Sequence, residues 1–132
     1  MAELDSFTFF VVVVQLGAAA GIVGFWMTAG RADFNEPWRP PGFALHERSF
    51  TVPDTVAATL LAVSALLVLN GLSLGRRLGL VAAGMLLFLA IIDTVYMRQN
   101  DLFRPEHDGR MHAAIVIAVF VVAGLMLTAY LT

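Results

Sequence analysis

The sequence contains no cysteine and no lysine, and only 14% of its residues are charged. Without cysteine there can be no disulfide, no thiolate metal site and no cysteine nucleophile, while the compartment stays open. All eight positive residues are arginine, which points to a high-GC genome more than to a mechanism. The net charge is only −2 and no basic stripe runs along any segment. Nucleic acid is therefore not expected as a partner. Paired histidines within the apolar runs are also missing, which argues against electron transfer through haem. An internal repeat with broken helices, the mark of many secondary transporters, is not visible either.

Apolar residues fill the space that charge leaves. They make up 59% of the 132 residues, against about 45–50% in an ordinary soluble domain. Mean hydropathy is +0.82. Four runs, at 7–29, 53–74, 78–97 and 111–131, approach or exceed the roughly 20 residues that cross a hydrocarbon core. The short tail before the first run carries Glu3 and Asp5 and no positive residue, unlike a cleavable signal peptide. The expected fold class is all-α: an integral membrane, antiparallel four-helix transmembrane bundle, one domain over residues 1–132. The expected location is a membrane crossed several times, of the bacterial inner-membrane kind. Loops one and three carry six arginines against two elsewhere, which places them in the cytoplasm by the positive-inside rule. The acid-free Arg76-Arg77 pair argues the other way.

Along the chain, Gly17 and Gly21 form a GxxxG pair flanking three alanines. Small residues at this spacing let a neighbouring helix approach closely, within the chain or across a homodimer seam. Gln15, near mid-span, needs a partner on another helix. The segment 30–50 mixes charges with Phe34, Trp38, Phe43 and Phe50, and its Pro37, Pro40 and Pro41 preclude a regular helix through the middle. It reads as an interfacial cap, either an anchor or a lid. Thr51-Val-Pro-Asp54 has the form of a capping box opening span two. Asn70 reads as a packing polar group or a C-terminal cap. Gly75-Arg-Arg-Leu-Gly79 reads as the tight turn into span three, with Arg76 and Arg77 among headgroups. Asn100, Asp101 and Pro105 close that helix.

Asp93 stands out because it lies inside the apolar run LLFLAIIDTVYMR and has no cation on its own helix face. An intramembrane carboxylate is costly, by about 2.5–3.5 kcal/mol on insertion scales, and normally faces a bundle interior or a wet cavity. Alternation of four spans gathers the start of span two, the end of span three and the start of span four at one face. That face holds every histidine: His46, His107 and His112. Asp93, Tyr96, Asp54, Trp38, His46, Glu47 and His112 are accordingly the candidate ligand-binding residues of a one-sided polar vestibule.

Four readings compete for that vestibule. The first is a pocket for a small or lipophilic ligand. The second is catalytic, with Asp93 as acid or base and Asp54 or a histidine as its partner, acting on a lipidic or isoprenoid-like substrate. The third is a divalent metal held by His46, His107, His112 and an acid, but His107-x4-His112 matches no common ligand spacing, so no metal site is expected. In the fourth, Asp93 only anchors an arginine of the cap. No cofactor follows from any motif. The long first loop, the Pro53-Asp54 start of span two and the Gly-Arg-Arg hairpin before a Gly-rich third span resemble the small bacterial four-helix membrane proteins of the DoxX-like and related families. The resemblance implies a four-span bundle serving as an accessory subunit to a membrane partner, and assigns no residue a role. The expected function is binding of a small or lipophilic ligand or a membrane partner, alone or as a homo-oligomer.

Overall fold

The computed structural model describes residues 3–29 and 36–132. Residues 30–35, which carry Asp33 and Phe34 of the expected cap, lie outside the described residues. The elements are α1 (Ser6–Ala29), α2 (Phe43–Ser49), α3 (Thr51–Leu69), α4 (Ser73–Gln99), a 3-10 turn (Pro105–His107) and α5 (Gly109–Leu131). No strand occurs among the described residues. Four helical stretches, with α2 and α3 counted as one, are long and apolar enough to cross a membrane.

Local chemistry sets most helix ends. Asp5 caps α1, taking the Thr8 N–H at 2.7 Å and the Thr8 hydroxyl at 3.0 Å. Those bonds hold the Asp5 carboxyl below its ordinary range. At the end of α3, Gly71 adopts φ 72°. The Gly71 N–H reaches Val68 O and the Leu72 N–H reaches Leu67 O, each at 3.0 Å. This is a Schellman closure, and it needs a residue that tolerates the left-handed region. The turn between spans two and three therefore lies at Asn70–Leu72, not at Gly75–Gly79 as expected. Both of those glycines are inside α4 and buried.

Their role is close packing. A Cβ on Gly75 would stand 2.6 Å from Val68 N, and one on Gly79 would stand 2.5 Å from the Tyr130 ring. The stripe Gly75, Gly79, Ala82, Ala83, Leu86 and Ala90 repeats at three- and four-residue steps. With it α4 packs against α3 on one side and α5 on the other. Within the chain, the GxxxG face expected on α1 makes no such contact: a Cβ at Gly17, Gly21 or Gly24 would meet nothing within 4 Å.

One buried polar network joins α1, α3, α4 and α5. Gln15 donates to Leu61 O at 3.1 Å and to Ser64 Oγ at 3.2 Å. Ser64 donates onward to Gly75 O at 2.7 Å, and the Tyr130 hydroxyl donates to Gln15 Oε1. Gln15 thus finds the interhelical partners that its mid-span position demands. Gln15→Ala should lower stability by about 2 kcal/mol, because it leaves the buried Tyr130 hydroxyl without its acceptor and removes the donor to Ser64 Oγ. Thermal unfolding in detergent measures this. A change of only a few tenths would mean that the network does not hold the helices.

Candidate functional site

Asp93 lies on the same stripe of α4 as Leu86 and Ala90, one step further along. The stripe that packs the core therefore also aims the carboxylate inward. Pro53 shapes the opposite wall. Its ring would clash with the carbonyl four residues back, at Ser49, so a straight helix cannot pass. The chain breaks there: α2 ends at Ser49, Phe50 bends it, and α3 begins at Thr51. Glu47, Phe50 and Asp54 follow the i, i+3, i+7 rhythm across the bend and face the same side.

The capping box expected at Thr51 does not form. The residue before α3 is Phe50, and no side chain caps it. Backbone carbonyls take two N–H groups at the junction: Phe50 N–H bonds Glu47 O at 3.1 Å and Asp54 N–H bonds Phe50 O at 2.8 Å. Asp54 instead accepts the Trp26 indole N–H at 2.8 Å.

These residues close one end of a cavity of about 500 Å³ between α1, α4 and α5. Thr8, Val11, Val12, Gln15 and Ala19 are the buried residues of α1. From Ala20 to Thr28 none is fully buried. There α1 becomes a cavity wall, with Ile22 still packed against the core. Ala18, Gly21 and Gly24 leave the room on that side, and Val116, Val119 and Val122 face it from α5. The walls are apolar, and Glu47, Asp54 and Asp93 sit together on the lining.

His46, Glu47 and Asp93 each offer a ligand atom, all within 4.8 Å of one another. His46 is held by rings, stacked on Tyr96 with centroids 3.5 Å apart and edge-on to Phe50 at 5.1 Å. His46 Nε2 and Glu47 Oε1 are buried without a hydrogen-bond partner. Among the described residues no ion pair reaches Asp93; Arg39 pairs with Glu36 and Arg104 with Glu106. A scaffold role for Asp93 as the anchor of a cap arginine thus has no contact behind it among the described residues.

Above the cavity the first and last loops interlock. Phe43, Met97 and Leu102 form a buried cluster. Trp38 stacks on His107 at 4.8 Å. The Arg39 guanidinium lies 4.4 Å from the centres of both the Trp38 and Phe43 rings. Its bond to Glu36 holds that carboxyl below the ordinary range.

Of the seven expected site residues, Asp93, Asp54 and Glu47 line the cavity. His46 joins them through the cluster and Tyr96 through its stack on His46. Trp38 belongs to the interlocked loops. His112 is buried near the start of α5 with Nε2 unpartnered, and is not among the cavity's lining residues. Trp26 and Phe50 were not anticipated. In the sequence Phe50 reads only as a cap aromatic, and the i, i+3, i+7 rhythm with Glu47 and Asp54 is the signal for it. Trp26 gave no sequence signal as a partner of Asp54. The chain matches no protein-family model, no curated protein and no solved structure.

Proposed function

We propose that the protein crosses the membrane as an antiparallel four-helix bundle and binds a lipophilic ligand in the cavity, with the ligand's polar end at the carboxylates. The carrying observation is an apolar cavity of about 500 Å³ with three acids on its lining, the form of pocket that orients an amphiphile. Carboxylates accept hydrogen bonds, so the ligand's head group carries donors. Its tail lies along Ala18, Gly21 and the α5 valines. Membrane embedding is supported by the outward apolar surface. No more than 33% of each span's apolar window is buried, and Phe9, Phe10, Phe88 and Ile117 are all more than half exposed. A water-soluble monomer would not sustain such a surface. A bacterial inner membrane, and an accessory place beside a larger partner, fit the layout and belong to the same proposal.

Trp26 lines the cavity and makes a built-in reporter. In a Trp38→Phe background it is the sole tryptophan. A brominated long-chain alcohol, titrated into protein held in detergent, should quench it saturably. Adding Gly21→Leu, which fills the cavity, should abolish the saturable component while the protein stays folded. Quenching that rises linearly without saturation, or that Gly21→Leu leaves unchanged, would contradict the reading.

A further inference from the structure

We propose that His46, Glu47 and Asp93 bind a divalent first-row transition-metal ion at the acidic end of the cavity. The three donor atoms lie within 4.8 Å of one another. Two nitrogen or oxygen ligands on one tetrahedral zinc ion are about 3.3 Å apart, so side-chain rotations that draw the donors together by about 1–1.5 Å close the set. Two of the three residues also present a buried polar atom that nothing else satisfies, His46 Nε2 and Glu47 Oε1. Such atoms are normally paired, and a bound ion is one of the few things that would pair them here.

The surroundings fit an ion as well. Glu47 and Asp93 are two acids brought together against apolar walls, and a divalent cation between them leaves the group neutral. The His46 ring is already oriented by Tyr96 and Phe50, so little freedom is lost on coordination. One imidazole nitrogen with two carboxylate oxygens suits zinc, iron, manganese or cobalt, whereas an all-oxygen set would suit magnesium or calcium. Asp54 stands apart, engaged by the Trp26 indole. Three protein ligands leave at least one position open. Glu47 and Asp93 line the cavity, so that position faces the space where a ligand's head group would lie. The set differs from the histidine trio weighed from the sequence. His107 Nδ1 contacts Asp101 O at 2.9 Å and its ring stacks on Trp38, and His112 is not among the clustered donors.

This site does not depend on the lipophilic-ligand reading. Metal-stripped full-length protein in detergent is titrated with Co²⁺, followed by its visible absorption, and the Zn²⁺ form is read by X-ray absorption at the zinc edge. One equivalent should bind saturably, with a shell of nitrogen and oxygen donors that includes a single imidazole. Asp93→Asn and His46→Ala should each weaken binding at least tenfold, whereas His112→Ala should leave it unchanged. The edge spectrum of the wild-type protein decides the matter even if a variant fails to fold. No saturable uptake, or a shell with two or more imidazoles, overturns the site. Gly21→Leu separates the two proposals: it should lose the brominated-alcohol response and keep the metal, and loss of the metal with it counts against the site as drawn.

Discussion

Gly79→Leu is expected to abolish the folded bundle, and Gly21→Leu to leave its melting temperature where it was. Both glycines belong to GxxxG pairs in apolar helices, so composition does not tell them apart. Geometry does. A Cβ at position 79 would lie 2.5 Å from the Tyr130 ring and 2.8 Å from Ser64 Oγ. Neither group is free to swing away, because both are tied into the Gln15 network. Overpacking a core by single methylenes costs about 1–3 kcal/mol. A whole isobutyl group that also breaks the network should remove about 5 kcal/mol or more, comparable with the entire stability of many small domains. At Gly21 an added Cβ meets nothing within 4 Å, and the leucine extends into the cavity. Circular dichroism melts and size-exclusion profiles in one detergent make the comparison. A Gly79→Leu protein melting within about 3 °C of wild type would remove the α3–α4–α5 contact from the fold.

That pair of glycines also shows where sequence reading stops. The four apolar runs, the mid-span demand of Gln15 and the inward aim of Asp93 all follow from hydropathy and helical period, and the helices carry them. The turn after α3 was legible too, because Asn70-Gly71 is itself a strong turn signal. The arginine-bearing segment behind it drew the boundary away. What could not be read is which small-residue stripe faces a helix and which faces empty space. That depends on how far α1 follows its neighbours, and its fully buried residues end at Ala19. The site divides in the same way. Asp93 was visible from its own helix. The nearness of Glu47 and His46 to it depends on α2, a short helix inside a segment that its three prolines made look irregular. Asp54 had a sufficient local explanation as a capping residue, and that explanation hid its bond to Trp26.

Gly109→Ala should loosen the interlocked loops without unfolding the helices beneath them. A Cβ there would overlap the backbone of Phe103 and stand 2.5 Å from Arg104 O. Backbone cannot rotate aside as a side chain can, so the loop itself must move. That loop carries Leu102, wholly buried against Phe43 and Met97, and His107, stacked on Trp38. It is also fastened by the Gly109 N–H to Arg104 O bond at 2.9 Å. Displacing it should cost about 2–3 kcal/mol, concentrated at this end of the molecule. Amide exchange should quicken over residues 101–112 and over α2, and trypsin should cut faster at the exposed Arg110. Amides near Gln15, Ser64 and Gly75 should keep their protection. Gly84→Ala is the matched control, since a Cβ there meets nothing within 4 Å and helix propensity favours alanine. Because α2 supplies both His46 and Glu47, the same substitution should weaken Co²⁺ uptake through displaced donors, with every donor residue still present. Unchanged exchange in α2 alongside a loosened last loop would show that the Trp38–His107 stack does not couple the two loops.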